Sequence, residues 1–340
     1  MEEVSIIGID LAKRSFQVDG ARPDGSVAFR RKLSRGKLLD FVVSQPRCAV
    51  TMEACASAHH WGREMTRLGH DVRLVPPVYV KPYVKRHKND AADAEAICEA
   101  AQRPTMRFVA VKTEEQQARA MLFHTRDLLV RQRTQTINAL RGHLAEFGVV
   151  APQGPAHIGR LASSLDDPGS GLPSAVRRLG GLLLDRVADL DEKIGGLEKE
   201  IRASARQDEA AARLMTIPGI GPIGAMAVQA FAPPMESFRR GRDFASWLGL
   251  VPRQHTTGGK PRLGRISKMG QRDLRRLLIS GAMAVVSWAV RRGRTNDPWL
   301  ARMLARKPRK LVAVALANRM ARIIWALMTK KEDYRTPAAA

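Results

Sequence analysis

Cysteine is scarce in this chain, three residues in 340. Cys48, Cys55 and Cys98 form no C-x-x-C pair and stand at no zinc-like spacing from a histidine, which argues against a thiolate zinc site or a disulfide framework. They read as buried, reduced thiols, and the expected location is cytoplasmic. No run reaches about 18 uncharged apolar residues, and the N-terminus lacks the charged and apolar regions of a secretory signal, so neither membrane spanning nor secretion is expected. No internal repeat of convincing period is present. A glycine-rich phosphate loop is also missing, which weighs against a sugar-kinase-like ATPase despite the GID near the N-terminus.

Acids are the other shortage. Thirty-three Asp and Glu face 57 Lys and Arg, a formal charge of +24. That excess is beyond what solubility needs, and its plain use is to neutralise phosphates. The basic side chains concentrate from Arg239 to Arg276 and from Arg302 to Arg335, so a polyanion is expected to cross more than one part of the molecule. Length and a 44% hydrophobic content allow about two domains with real cores.

Residues 4 to 10, VSIIGID, read as a buried strand that delivers Asp10 at its end. SFQVDGA, the turn Pro23-Asp24-Gly25 and SVAFRRKL extend it into a three-stranded meander. Ser34 is placed to cap a helix through about Val43, and CAVTMEAC gives a fourth strand with Glu53 near its end. A helix from about Trp61 to Leu68, the strand DVRLVPP and a helix opening at Asp90 follow. Strands alternating with helices in this order imply a mixed sheet with helices packed on it.

Asp90 and Asp93 sit three apart at a helix start, on one side of its first turn, behind the basic run Lys81, Lys85, Arg86, His87 and Lys88. In such a fold chemistry collects at the carboxyl ends of strands, where Asp10 and Glu53 also emerge. Four carboxylates converging there would repel and titrate upward unless a cation neutralised them, and Mg2+ is the hard ion that prefers such oxygens. Two such ions about 4 Å apart can clamp the attacking and leaving oxygens of a phosphoryl transfer. The alternatives are ordinary ones: first-turn helix acids, a turn residue at Asp10 and a surface acid at Glu53.

From Glu114 to Phe147 little Pro or Gly interrupts a long amphipathic helix. Residues 148 to 175, rich in Gly and Pro, read as an irregular linker. Leu183, Val187, Leu190, Ile194, Leu197 and Ile201 then form a heptad seam, weakened at Gly195-Gly196, whose partner is either the preceding long helix folded back or a second copy of the chain. LMTIPGIGPIGAMAV resembles a helix-hairpin-helix element whose glycine turn exposes N–H groups to a phosphate. After FASWLGL comes a polar, glycine-containing loop, then an arginine-studded helix from about Arg272. Thr256, Thr257 and Ser267 lie there among Arg253, Lys260, Arg262, Arg265 and Lys268, as possible nucleophiles, phosphate donors or turn formers. The tail from about Thr336 is expected to fray.

Taken together, GIDLAK, MEAC, KNDAADAEAI, IPGIGPIGA and GLVPRQHTTGGKPRLGRISKMGQRDLRRLL resemble the DEDD transposases of bacterial insertion sequences that are directed by a structured guide RNA. The resemblance implies three parts: an α/β RuvC-like, RNase H-fold domain with a mixed sheet (1–112), a long helical coiled-coil linker (113–210), and a mainly α-helical C-terminal transposase domain with the helix-hairpin-helix-like element (211–335). It implies Mg2+ bound by Asp10, Glu53, Asp90 and Asp93. It also implies duplex DNA of element ends and target, a structured guide RNA, and a homo-oligomer, dimers assembling into a synaptic tetramer. The family's C-terminal serine attacks DNA and holds the strand covalently. Here the matching position is Thr257, with Ser267 and then Thr256 as the other hydroxyls, and the expected active site joins carboxylate-held Mg2+ to that hydroxyl and to arginines. The competing readings are a Holliday-junction resolvase or metal-dependent nuclease, and a catalytically inactive nucleic-acid-binding protein.

Overall fold

The computed structural model describes residues 4–85 and 90–335, for Asp90 and Ala91 the backbone alone. The frayed tail expected from Thr336 and the basic residues Arg86, His87 and Lys88 lie outside the described residues. The chain divides into two compact units, Met1–Gln117 and Ala118–Ala340.

In the first unit β1 (Ile6–Asp10), β2 (Ser15–Ala21) and β3 (Val27–Ser34) form an antiparallel meander. A turn of 3-10 helix and α1 (Leu38–Val43) follow, and the Ser34 side chain caps neither. Next come β4 (Ala49–Glu53), α2 (Ala58–Arg67), β5 (Asp71–Val75), the short α3 (Pro77–Val80) and α4 (Asp90–Ala101). The sheet order is β3-β2-β1-β4-β5, with β4 parallel to both β1 and β5. It is the mixed sheet expected from the alternation of strands and helices.

Side chains alternate across a strand, so each strand feeds two cores. Ile7, Ile9, Phe16, Val18, Val50 and Met52 pack on one face with Leu38, Val42, Trp61 and Met65 of α1 and α2. Ile6, Ala21 and Val75 pack on the other with Ala96, Ile97 and Ala100 of α4. Each of the larger residues gains about 1.5–3 kcal/mol from such burial. Gly8 is what lets α4 lie so low. A Cβ there would stand 2.7 Å from the Ala94 carbonyl oxygen and 2.9 Å from the Cys98 Cβ.

In the second unit α5 (Glu114–Ala145) and α7 (Ser174–Gln207) run antiparallel. Arg126 pairs with Glu198 and Arg133 with Asp191, while Leu140 and Leu144 share a core with Leu183 and Leu184. The heptad seam therefore uses the preceding helix, folded back. α7 runs unbroken through Gly195-Gly196, because Ile194 and Ile201 are buried on either side and packing outweighs the weak propensity. The segment 148–175 is not simply irregular. It contains α6 (Ile158–Asp166), whose Leu161 and Leu165 are buried, and Arg177 ties its end down through the Leu165, Asp167 and Leu172 carbonyls.

α8 (Glu209–Met215), α9 (Pro222–Phe231) and α10 (Gly241–Trp247) lead to a hairpin, β6 (Pro252–Gln254) and β7 (Leu263–Ile266). Where a polar loop was expected, the chain forms this two-stranded arm. α11 (Arg272–Arg292), α12 (Pro298–Arg306) and α13 (Arg309–Lys330) complete the unit. α13 is long and apolar enough, by length and composition, to cross a membrane. In this fold it is a core helix, with Val312, Leu316, Met320, Ile324 and Leu327 buried in the same cluster as Phe123, Ile201 and Leu278. That cluster spans both sides of residue 210, so the helical region and the C-terminal helices share one core.

Candidate functional site

In β1 the alternation that turns Ile7 and Ile9 toward α1 and α2 turns Ile6, Gly8 and Asp10 toward α4. In β4 it does the same for Ala49, Thr51 and Glu53. The two strands are parallel and paired at Ile9 and Met52, so Asp10 and Glu53 are neighbours at their carboxyl ends. α4 crosses this face with Ala94 against Gly8, which brings Asp93 to the same end.

Electrostatics agree with that placement. The Glu53 carboxyl is pushed above its ordinary value, first by burial and then by the charge of Asp93. The Cys55 thiol is pushed up by burial, Glu53 and Asp10, in that order. The charge of Asp93 thus reaches Glu53, and those of Glu53 and Asp10 reach Cys55. Among the described residues no group of three or more His, Cys, Asp or Glu side chains is placed to hold a metal ion. The side chain of Asp90, the fourth expected ligand, lies outside the described residues, though its backbone opens α4.

The set nonetheless suits a hard divalent cation. Its donors are carboxylate oxygens, Glu53 bears the repulsion a cation would remove, and Thr51 Oγ1, on the same face, is buried without a hydrogen-bond partner among the described residues.

Sequence reasoning passed over Asp19, a charged residue inside the apolar alternation of β2. It is buried, and burial pushes its carboxyl above the ordinary range, against the pull of Arg30. Arg30 Nε reaches Asp19 at 3.0 Å and Nη2 reaches Glu95 of α4 at 2.8 Å, while Lys85 Nζ holds the other Glu95 oxygen at 2.6 Å. This chain of charges latches α4 to β2 and β3, and so fixes where Asp93 stands. The basic residue Lys85 that precedes α4 is therefore engaged with the helix itself.

In the second unit the three hydroxyls stand in different places. Thr256 and Thr257 are exposed at the tip of the β6–β7 arm, before Gly258 (φ +56°) and Gly259 (φ +74°). The Thr257 carbonyl accepts from the Lys260 N–H at 3.1 Å, and its hydroxyl has no partner among the described residues. Ser267 stands at the base, where its Oγ accepts from the Met269 N–H at 3.4 Å and its carbonyl from Arg253. Arg253, His255, Lys260, Arg262 and Arg265 are exposed along the arm.

The base of the arm is locked. Ser267 N–H donates to Val251 and Lys268 N–H to Gly249. Gly249 and Gly270 have φ +70°, and a Cβ would stand 2.2 Å from the Met269 oxygen at the first and 1.7 Å from the Trp247 oxygen at the second. Buried Arg275 donates from one nitrogen to the Leu248 and Met269 carbonyls, at 2.9 and 3.0 Å.

Comparison with known proteins finds matches in both parts of the chain. Residues 7–148 match the family model of DEDD transposases of IS110 elements, described as "Transposase", and residues 211–297 match one described as "Transposase IS116/IS110/IS902 family". A "Probable family 20 transposase" of Pseudomonas aeruginosa is 49% identical over 98% of this chain and 99% of its own length. The transposase for insertion sequence element IS1328 of Yersinia enterocolitica is 42% identical over 97% and 98%. That for IS1111A of Coxiella burnetii is 40% identical over 99% and 93%. With relatives this similar along nearly its full length, the chain belongs to the IS110/IS116 family of insertion-sequence transposases.

Proposed function

We propose that this transposase cuts and rejoins donor and target DNA with two sets of groups, the carboxylates Asp10, Glu53, Asp90 and Asp93 and the hydroxyl of Thr257, and that a structured guide RNA selects the DNA. The first unit is read as a RuvC-like, RNase H-type domain, and the turn between α8 and α9 as helix-hairpin-helix-like. The assembly is read as a homo-oligomer, dimers joining into a tetramer on DNA, with a coiled-coil character to the α5–α7 pair. The observation that carries the reading is the convergence of Asp10, Glu53 and Asp93 at one end of the sheet, with Glu53 titrating high.

Asp10, Glu53 and Asp93, with Asp90, would hold Mg2+, which when bound supplies charge to offset a phosphate and its leaving oxygen. In the cleavage step Thr257 Oγ1 bonds to the scissile phosphorus and the bond from phosphorus to the 3′ oxygen breaks. The proton leaving Thr257 is balanced by the one the 3′ oxygen gains. The strand's 5′ end is then held as a phosphothreonine diester, and reversal with a new 3′ hydroxyl rejoins it. The exposed cations of the arm, Arg253, Lys260, Arg262 and Arg265, steer the phosphate to the hydroxyl. Thr257 is preferred to Ser267 because Ser267 is engaged at the base of the arm, while the Thr257 hydroxyl is exposed and unengaged at its tip.

The test is to trap the covalent product of guide-loaded protein on labelled DNA and map the modified residue. Phosphothreonine at 257, absent from Thr257→Ala and retained in Ser267→Ala, is expected. An adduct elsewhere would overturn the assignment, and free 5′-phosphate ends throughout would mean hydrolysis by water, as a nuclease works. Sequencing of RNA that co-purifies with the protein tests the guide, and RNA-independent recombination would remove it. A strictly monomeric mass in sedimentation, with and without nucleic acid, would remove the oligomer.

A further inference from the structure

The β6–β7 arm keeps one register to its tip. Gln254 pairs with Leu263 and Thr257 with Lys260, and between them the His255 N–H donates to the Arg262 carbonyl at 2.8 Å. Gly258 and Gly259, both at positive φ, are then the central residues of a two-residue hairpin turn, which needs left-handed backbone at both positions. Side chains alternate across such a ladder. His255, Thr257, Lys260 and Arg262 therefore share one face of the arm, and Gln254, Thr256, Pro261 and Leu263 the other.

The two faces differ in chemistry. The first carries an imidazole, a hydroxyl and two cations, and the second has no ionisable group. Residues 252–270 contain no acid. His255 stands two positions before Thr257, about 6.6 Å along the strand, a gap that an imidazole and a threonine hydroxyl span between them. A glycine seats its ring: a Cβ on Gly264 would stand 3.1 Å from His255 Nε2 and 3.2 Å from Cδ2. Nδ1 is the ring vertex opposite that edge, and it has no hydrogen-bond partner among the described residues.

A threonine hydroxyl is a weak nucleophile until a base takes its proton, and histidine is the side chain most often in that role. Lysine and arginine on this face only donate. We propose that His255 is the general base of the arm, its Nδ1 taking the proton of Thr257 Oγ1 as that oxygen bonds to phosphorus. The bond from phosphorus to the 3′ oxygen breaks with its electron pair on that oxygen, which takes a proton from solvent. In rejoining, the 3′ hydroxyl attacks phosphorus and loses its proton to solvent, and the imidazolium returns its own to Oγ1 as Thr257 leaves, so charge and protons balance over the cycle. The inference rests on Thr257 as the nucleophile and assigns it a partner that the carboxylates of the first unit do not supply.

The experiment follows adduct formation in single turnover by full-length, guide-loaded protein on labelled DNA and maps the modified residue. His255→Gln keeps a polar side chain at an exposed position but cannot take up the proton. It is expected to form the Thr257 adduct about 100-fold to 10,000-fold more slowly. Its DNA affinity, measured by anisotropy in chelator, should equal that of the native chain. Free imidazole should speed the reaction of His255→Ala, and Gln254→Ala, changed on the opposite face, should react at the native rate. A Thr257 adduct formed by His255→Gln at the native rate overturns the proposal and leaves the nucleophile in place. A slower reaction matched by an equal loss of DNA affinity also overturns it, since His255 would then be a phosphate contact. An adduct mapped to another residue in the native chain overturns both.

Discussion

After burial, it is Asp93, in the opening turns of α4, that raises the carboxyl pKa of Glu53 at the end of β4. The relationship joins two elements 40 residues apart in sequence, and it fixes the sign of two effects. A group whose folded pKa lies above its unfolded one contributes stability below the unfolded value, 4.5 for a glutamate, and loses it as pH rises through the folded value.

In chelator at neutral pH the first unit therefore carries a repulsion that Glu53→Gln relieves. That variant is expected to melt about 2 °C higher than the native chain. Mg2+ should raise the melting temperature of the native chain more at pH 8 than at pH 5.5, and raise that of Glu53→Gln less. Equal stabilisation of both proteins by Mg2+ would separate Glu53 from the ion.

Gly8→Ala tests how α4 is seated. The added methyl meets the Ala94 oxygen and Cys98 backbone rather than a movable side-chain tip, so a loss of about 1–3 kcal/mol is expected in denaturant unfolding. Strand cleavage should fall further than stability alone explains, because the helix that moves carries Asp93. Gly36→Ala, where nothing lies within 4 Å, is the neutral comparison.

His59 supplies a pH dependence of opposite origin. Its Nδ1 accepts the Lys112 N–H at 3.2 Å, and burial, with Lys112 and Arg63 nearby, pushes it down to about 4. A lowered histidine costs stability as pH falls from its ordinary 6.5 toward the folded value, here about 1–3 kcal/mol after allowance for solvent screening. His59→Gln keeps an acceptor without the charge. Its thermal melts between pH 6.5 and 4 should be flatter than those of the native chain.

Arg275→Met removes the donor to the Leu248 and Met269 carbonyls and should cost about 2–4 kcal/mol. Arg275→Lys, which keeps a charged donor, should recover part of it. If the arm's seating matters to chemistry, single-turnover cleavage by the Met variant falls while DNA affinity holds, and the Lys variant restores the rate in part.

Much of this was legible because strands and helices leave different periods in a sequence. VSIIGID and CAVTME show the apolar runs that end in Asp10 and Glu53, and the long helices show theirs. What was not legible depends on contacts far apart in the chain. Nothing local marks Asp19 as a buried anchor, since its partner Arg30 is brought to it by the sheet, and Arg30's second partner Glu95 by α4. The β6–β7 arm escaped notice because both strands are short, exposed and basic, without a buried face to impose alternation. α6 was hidden by the glycines and prolines around it, though Leu161 and Leu165 carry the four-residue spacing that buries them. Convergence of Asp10, Glu53 and Asp93 at the carboxyl ends of the strands could be expected, but what seats them there is the parallel register and Gly8.

The interlocked glycines at the base of the arm turn residue count into a ruler. Since Gly249, Gly270 and Arg275 fix where the hairpin leaves the core, the reach of its tip is set by how many residues each strand contains, at about 3.3 Å per residue. Substitutions along 252–266 would change what the arm touches. Only paired insertions or deletions would change how far it reaches, so two transposases with the same tip chemistry but arms of different length would address phosphates at different depths in the same nucleic acid.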